Sequence, residues 1–226
     1  MKLGVIPARL YSTRFIKKIL ADINGKPMVI HTAERVSKCK NLDRFIIAID
    51  NNETFEAIKD YGFETMMTSD SHKSGTDRVA EVVEKIKEAD VVVNIQADEP
   101  FIDPTLIDEL VKSFEDSNIE MSTLVSTQLL ETDMKDKNVV KAVLDNDGFA
   151  KDFNRIFGDY KHLGIYGFTR DTLLKFVSLK QSDREKNRKL EQMRALDNGI
   201  KIKSIVTDKN SFSIDTKEDL EHIQYG

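Results

Sequence analysis

The chain has 226 residues, 40% of them hydrophobic and 32% charged, with a formal net charge of -5 at pH 7. The acidic balance argues against a nucleic-acid-binding module or a membrane-surface protein. No apolar stretch approaches the roughly 20 residues of a membrane helix, and Pro7 and Arg9 interrupt the first apolar run too early for a signal peptide. The single cysteine, Cys39, excludes an internal disulfide. We therefore expect a soluble, intracellular globular protein.

Short apolar runs alternate with amphipathic segments in the first half of the chain. The apolar runs are rich in β-branched residues, which is typical of strands buried on both faces, and they span 3–6, 45–50 and 91–95. The segments with helical spacing span 27–39, 76–89 and 103–117. This alternation predicts the α/β class, with a mainly parallel sheet flanked by helices.

The second half of the chain has an antiparallel pattern. Residues 138–153 read as a hairpin around a turn at 145–148. Further predicted elements are strands at 162–168 and 201–207, a helix at 188–199 that ends on Gly199, and a short helix from 215–216. Because no repeat or linker marks a boundary, we expect one domain over 1–226, with an antiparallel insertion at 138–168 that could form a lid or a dimer contact.

The loop after the first predicted strand is rich in cations, namely Arg9, Arg14, Lys17 and Lys18. In open parallel sheets ligands bind at the carboxyl ends of strands, beside helix N-termini whose free N–H groups attract anions. Arginine binds phosphate oxygens in a bidentate way and lysine adds a mobile charge, so Arg9, Arg14 and Lys18 suit a triphosphate. The alternative is a solvated basic loop. It is not a P-loop, because the motif G-x-x-x-x-G-K-[ST] is absent.

An acidic pair follows the buried strand at 91–95, in the sequence QADEPFI at 96–102. A carboxylate at a strand end suits a hard cation that bridges substrate phosphates. Asp98 is the better ligand candidate because Glu99 precedes Pro100. The alternative is an exposed turn. A basic loop together with an acidic strand end favours phosphoryl or nucleotidyl transfer.

The segment SGTDR at 74–78 leads into a predicted helix. Gly75 permits close backbone approach to an anion and Arg78 adds charge, while the alternative is a capped helix start with Thr76 as the cap. Late in the chain, five residues are individually weak signals of a site: Arg155, His162, the pair Glu191-Gln192, and Asp215.

Together these segments resemble the CMP-Kdo synthetases, the 3-deoxy-manno-octulosonate (Kdo) cytidylyltransferases, along nearly the whole chain. The matching stretches are IPAR with STR, ADINGKPM, SGTDR, VNIQADEP, VKAVLD, HLGIYGF, LEQMRALDNGIKI and IDTKEDL. The resemblance implies a Rossmann-like nucleotidyltransferase fold and a cytoplasmic homodimer, with the hairpin at 138–153 as the candidate contact. It also implies that CTP and Kdo, an acidic sugar of lipopolysaccharide, give CMP-Kdo and pyrophosphate with Mg²⁺.

The resemblance assigns roles to individual residues. It places the nucleotide on Pro7, Ala8, Arg9, Ser12, Arg14, Lys18, Gly75, Arg78 and Gln96. It places the sugar on Gln96, Arg155, His162, Tyr166, Glu191 and Gln192. Mg²⁺ would be held by Asp98 and Asp215, which with Arg14 and Lys18 form the expected catalytic set.

The chain departs from the family pattern in places. It reads STRFIKKIL where members commonly read STRLPGKPL, so the glycine next to Lys18 and both prolines are absent and Lys17 adds a charge. The connection between Arg155 and His162 is short, and Arg188 stands where a second Glu is usual. These sugar-side changes leave two alternatives open: another acidic sugar (8-amino-Kdo or a nonulosonic acid), or a non-catalytic nucleotide-binding paralogue, which retention of Asp98 and Asp215 disfavours.

Overall fold

The structure is a computed structural model that describes residues 1–11 and 15–225. Its strands, in chain order, are β1 (Lys2–Ala8), β2 (Asp22–Ile23), β3 (Lys26–Pro27), β4 (Arg44–Ile49), β5 (Thr65–Met67), β6 (Val91–Asn94), β7 (Met121–Ser126), β8 (Lys141–Leu144), β9 (Ala150–Asn154), β10 (Tyr160–Thr169) and β11 (Ile202–Thr207). Its α-helices are α1 (Met28–Val36), α2 (Asn52–Ile58), α3 (Gly75–Lys85), α4 (Pro104–Lys112), α5 (Glu131–Lys135), α6 (Arg170–Ser178), α7 (Asp183–Arg188), α8 (Gln192–Asp197) and α9 (Lys217–Tyr225).

The chain divides into two compact units. The first comprises Met1–Asp108 with Ser211–Gly226, and the second comprises Glu109–Asn210. The expected organisation as one domain over 1–226 stays a prediction. Throughout the described ranges, helices that combine the length and the apolar character needed to cross a bilayer are absent.

The first unit contains a parallel run of strands in the order β6-β1-β4-β5. Residues 3–8 of β1 are buried, as are most of β4 and β6, because the strands are apolar on both faces. The predicted α/β class with mainly parallel pairing is confirmed here. In this arrangement the carboxyl ends of β1, β4 and β6 lie at one edge, and this edge carries Arg9, Asp50 and Asp98.

Helix α3 directs the SGTDR segment toward this edge. Its apolar stripe, Val79, Val82 and Val83, is fully buried. The alternative interpretation of a capped helix start is correct in kind but not in residue, because Ser74 and not Thr76 caps the helix. The Ser74 hydroxyl accepts a hydrogen bond from the Asp77 N–H at 3.1 Å, and the Asp77 carboxylate accepts one from the Ser74 N–H at 3.1 Å. This reciprocal capping box satisfies two donors at the helix start.

The second unit pairs strands in both directions. Strand β7 is antiparallel to β10 and parallel to β11. The hairpin predicted at 138–153 is confirmed, since β8 and β9 pair antiparallel. Its turn is held by Asp145, whose carboxylate accepts hydrogen bonds from the N–H groups of Asp147 at 3.0 Å and Phe149 at 2.8 Å.

The helix predicted at 188–199 is shorter than expected. Helix α7 ends at Arg188, Lys189 takes a left-handed conformation with φ 54°, and α8 begins only at Gln192. The left-handed conformation of Lys189 interrupts the helix, although the helical spacing of charged and apolar residues continues through this position. The end of the segment is as predicted, because Gly199 has a φ of 74°.

Candidate functional site

A pocket of about 270 Å³ lies at the carboxyl edge of the strands of the first unit. The predicted residues that line it are Pro7, Arg9, Lys18, Gly75, Arg78, Gln96, Asp98 and Asp215. Ala8 is fully buried at the end of β1, between the lining residues Pro7 and Arg9. The predicted nucleotide residues Ser12 and Arg14 lie outside the described residues.

Lys18 and two carboxylates form the charged centre of this pocket. The Lys18 Nζ lies 2.5 Å from Asp98 Oδ2 and 3.0 Å from Asp215 Oδ1. The backbone also joins the two acidic segments, because the Ile214 N–H donates to the Asp98 carbonyl at 2.9 Å. Burial alone lowers the pKa of Lys18, but the charges and hydrogen bonds of Asp98 and Asp215 outweigh it and raise the pKa. Lys18 therefore stays positively charged.

The same two carboxylates have the chemistry of a magnesium site. The described residues contain no group of three or more His, Cys, Asp or Glu side chains that could hold a metal ion by themselves. Magnesium in phosphoryl-transfer sites commonly uses one or two carboxylates and completes its shell with substrate phosphates and water. Asp98 and Asp215 aim oxygens at one cation, Lys18, so their donor set fits such an ion.

Arg78 forms the buried floor of the pocket. It is 1% exposed, its Nη2 donates to Asp50 Oδ2 at 2.9 Å, and its Nη1 donates to Thr68 Oγ1 at 2.5 Å. Burial lowers the pKa of Arg78, and the Asp50 charge opposes that change. Asp50 also accepts a hydrogen bond from the Leu10 N–H at 3.0 Å, so it ties the basic loop to α3. Sequence reasoning missed Asp50, although its place directly after β4 is the signal that could have identified it.

Lys73 is a second lining residue that the sequence did not single out. It is exposed, and it forms no ion pair with any other described residue. Its loop is held by Glu81, whose carboxylate accepts from the Ser69 N–H at 2.8 Å and from Lys85 Nζ at 2.7 Å and lies 2.5 Å from His72 Nε2. A single lysine in a polar loop gives no distinctive signal.

Asp98 and Glu99 face different surroundings. Asp98 lines the pocket, whereas Glu99 is 4% exposed and accepts a hydrogen bond from the Ser211 hydroxyl. Burial raises the pKa of Glu99 to about 7; the Ser211 hydrogen bond opposes this rise and the Asp98 charge adds to it. This is the orientation expected from the proline that follows Glu99.

Several predicted sugar residues come together in the second unit. On β10 the ring centroids of His162 and Tyr166 are 5.4 Å apart, and His162 Nε2 lies 3.0 Å from Thr123 Oγ1. Burial lowers the pKa of His162 to about 3, so this imidazole is neutral at pH 7. Burial, and then the charge of Glu191, raise the pKa of Tyr166, so its hydroxyl keeps its proton. The cluster offers neutral hydrogen-bonding groups.

Gln192 adds a buried amide to this unit. Its Nε2 has no hydrogen-bond partner among the described residues, although such groups are normally paired. The neighbouring Glu191 lies 3.5 Å from Arg194, which also pairs with Glu185 at 2.6 Å. A buried donor without a protein partner is suited to a ligand oxygen.

Arg155 does not join this cluster. Its guanidinium donates to the carbonyls of Lys137 at 3.0 Å and Asn138 at 2.8 Å, which holds the loop before β8. Arg188, the cation that departs from the family pattern, is also engaged. It donates to the Asp152 carboxylate at 2.6 Å and to the Phe153 carbonyl at 2.7 Å.

Comparison with known proteins identifies close relatives. Residues 3–202 match the family model described as cytidylyltransferase. The 3-deoxy-manno-octulosonate cytidylyltransferase of Geotalea uraniireducens (strain Rf4) is 41% identical over 97% of this chain and 96% of that protein. The protein of the same name from Thermodesulfovibrio yellowstonii is 40% identical, over 96% and 94%. A solved structure of CMP:2-keto-3-deoxy-manno-octonic acid synthetase complexed with CTP superposes with a TM-score of 0.93 at 33% identity, over 99% and 97% of the two chains.

Proposed function

The chain belongs to the cytidylyltransferase family, and we propose that it transfers CMP from CTP to the anomeric hydroxyl of Kdo, releasing pyrophosphate. The observation that carries the proposal is the pocket in which Lys18 lies between Asp98 and Asp215, beside Arg9 and Lys73. A pocket with mobile cations and two carboxylates is suited to a metal-bound nucleoside triphosphate.

At the nucleotide, the cationic side chains of the protein provide most of the binding and charge compensation. Arg9 and Lys18 bind the triphosphate and offset the charge that develops on the departing pyrophosphate. Asp98 and Asp215 are the residues that would hold Mg²⁺ once Lys18 pairs with the phosphates. Mg²⁺ bound there would neutralise phosphate charge and lower the pKa of the attacking hydroxyl. Arg78, fixed by Asp50, keeps the pocket floor in place.

At the sugar, neutral groups provide the recognition. The Gln192 amide and the Tyr166 hydroxyl donate to the hydroxyl and carboxylate oxygens of Kdo, and the His162 ring forms a hydrogen bond with its hydroxyl groups. The alternative of a different acidic sugar rested partly on Arg188 as an extra free cation. Because Arg188 already pairs with Asp152, it supplies no free charge, and this favours Kdo.

We further propose that the protein works as a homodimer in the cytoplasm. The loop after the hairpin exposes two large apolar side chains, Ile156 (80% exposed) and Phe157 (55%), as a contact between copies would require. Light scattering on the wild type and on Ile156→Asp tests the assembly. We expect a dimer that the substitution weakens; a monomeric wild type would remove the proposal.

The activity is tested by pyrophosphate release from purified protein with CTP and Mg²⁺, with and without Kdo. Kdo-dependent release that EDTA abolishes is the expected result. Release with 8-amino-Kdo or a nonulosonic acid but not with Kdo would keep the nucleotide chemistry and change the sugar. No release with any acidic sugar, together with measurable CTP binding, would favour a non-catalytic paralogue.

A further inference from the structure

The turn that precedes Lys18 has an unusual backbone. Lys17 has φ 57° and ψ 29°, a left-handed conformation that favours glycine and is strained for a residue with a side chain. The turn closes through the Lys18 N–H, which donates to the Phe15 carbonyl at 3.2 Å. A short 3₁₀ helix, Lys18–Leu20, follows directly. Because the glycine that family members commonly carry next to Lys18 is absent, another interaction must stabilise the left-handed conformation of Lys17.

The side chain of Lys17 provides a tether. Its Nζ lies 2.5 Å from Glu53 Oε1, with both side chains a little under half exposed. Glu53 lies in the first turn of α2, where its N–H donates to the N-cap Asn51 at 2.8 Å. The Glu53 carboxylate therefore projects from a capped helix end. It holds the Lys17 side chain, which does not line the pocket.

The consecutive residues Lys17 and Lys18 thus form ion pairs with different carboxylates. Lys17 reaches α2, whereas Lys18 reaches Asp98 and Asp215. Two hydrogen bonds hold the backbone that follows the two lysines. The Leu20 N–H donates to the Lys17 carbonyl at 2.9 Å, and the Ala21 N–H donates to the Lys18 carbonyl at 3.0 Å. The left-handed turn therefore sets the direction in which Lys18 leaves the chain.

We propose that the Lys17–Glu53 ion pair is a positioning device that holds this turn and aims Lys18 at the triphosphate of the bound nucleotide. Lys17 is a positioning residue and touches no substrate. The part of the proposal that concerns the nucleotide rests on the proposed function. The part that concerns the turn does not, so the two are measured separately.

The first experiment measures hydrogen exchange at the amides of Lys18, Leu20 and Ala21. Glu53→Gln and Lys17→Met remove the pair and leave the strain, so we expect exchange about two- to fivefold faster. Lys17→Gly removes the strain as well and should exchange close to the wild-type rate. The matched control is Glu56→Gln, which breaks the exposed Glu56–Lys59 pair of α2 at the same 2.5 Å separation and should change nothing.

The second experiment measures the dissociation constant of CTP by calorimetry and its KM in turnover. Glu53→Gln and Lys17→Met should raise both about two- to fivefold at low salt. At high salt, the wild type and Glu53→Gln should have the same dissociation constant and KM for CTP, because salt screens the exposed Lys17–Glu53 pair. The exchanged pair, Lys17→Glu with Glu53→Lys, should recover most of the loss.

The two experiments separate the role of the pair in the turn from its role in nucleotide binding. Unchanged exchange in both Glu53→Gln and Lys17→Met would overturn the tether. Faster exchange with unchanged CTP affinity would overturn the aiming of Lys18. A wild type that binds no CTP would instead remove the proposed function, and hydrogen exchange would still decide whether the pair holds the turn.

Discussion

The ammonium of Lys18 lies 2.5 Å from the Asp98 carboxylate, and the same ammonium reaches Asp215 at 3.0 Å. The cation thus occupies the place between the two carboxylates where a metal ion would be attracted. A triphosphate that draws Lys18 away therefore exposes the carboxylates as it arrives. Nucleotide and metal binding should consequently be coupled at this point.

This coupling predicts an effect of Lys18→Met on metal affinity. Lys18→Met removes the positive charge that lies 2.5 Å from Asp98 and 3.0 Å from Asp215, so Mn²⁺ should bind about tenfold more tightly in the absence of nucleotide. Turnover should fall at least about 100-fold, because a charge on the leaving group is no longer offset. Electron paramagnetic resonance of Mn²⁺ measures the first effect. Lys38→Met, at an exposed lysine, is the control, and equal metal affinity in the two variants would contradict the coupling.

Asp98→Asn should abolish turnover and leave the fold intact. The amide is a much poorer ligand for Mg²⁺, so we expect a loss of at least about 100-fold in turnover. Activity and thermal unfolding are measured together. The comparison variant is Asp90→Asn, at an exposed carboxylate that pairs with the N-terminus. Near-normal activity in Asp98→Asn would remove Asp98 from the metal site.

Asp50→Asn should destabilise the protein strongly. It leaves the buried guanidinium of Arg78 without its carboxylate, and breaking a buried pair costs about 3 kcal/mol or more in the free energy of unfolding. Urea unfolding at pH 7 measures this. Glu64→Gln breaks the exposed pair with Arg44 and should cost under about 1 kcal/mol. Equal losses in the free energy of unfolding in Asp50→Asn and Glu64→Gln would show that the buried pair stabilises the protein no more than the exposed pair does.

Gln192→Leu should separate stability from function. Because the Gln192 Nε2 lacks a protein partner in the described structure, replacing it should change the free energy of unfolding by less than about 0.5 kcal/mol. The KM for Kdo should rise about tenfold or more while the KM for CTP stays the same. Asn198→Leu is the contrast, because its amide donates to the Arg194 carbonyl at 2.8 Å and its loss should destabilise. An unchanged KM for Kdo would exclude Gln192 from the sugar site.

Glu81→Gln should flatten the acid limb of the stability curve. Burial raises the pKa of Glu81, but hydrogen bonds from Lys85, the Ser69 N–H and His72 outweigh it and lower the pKa from 4.5 to about 2. The stabilisation is thus complete above pH 4.5 and is lost as the pH falls toward 2. With partial exposure we expect a loss of about 1–2 kcal/mol at pH 7. Urea unfolding from pH 7 to 2 tests this, with Glu84→Gln as the control. A parallel shift at every pH would refute the assignment.

The buried parallel strands could be predicted because β1, β4 and β6 carry apolar side chains on both faces. Strand β7 could not, since its sequence MSTLVS mixes hydroxyl residues into a fully buried strand. The Thr123 hydroxyl finds its hydrogen-bond partners on β10, the Ile165 carbonyl at 2.8 Å and His162 Nε2 at 3.0 Å, which are 42 and 39 residues away. A polar residue that finds its partner at such a distance gives no local signal.

The site was predictable where a motif marked it and less so where distant residues meet. Asp98 and Gly75 stand in recognisable segments at a strand end and a helix start. The contacts of Lys18 span 80 residues to Asp98 and 197 to Asp215, so their convergence follows only from the folded chain. Lys73 has no sequence distinction beyond its charge, and only its position in the pocket reveals it. Asp50 follows a predicted strand, but its pairing with Arg78 is seen only in the folded chain.

The first unit is discontinuous in sequence, because its later part begins again at Ser211. A ribosome that has translated the chain as far as Asn210 has already produced Arg9, Lys18 and Asp98, but not Asp215 or the Ile214 N–H that donates to the Asp98 carbonyl. The pocket is thus completed only after the whole second unit has been synthesised. A product of translation that ends before Ser211 would carry the basic loop without the second carboxylate.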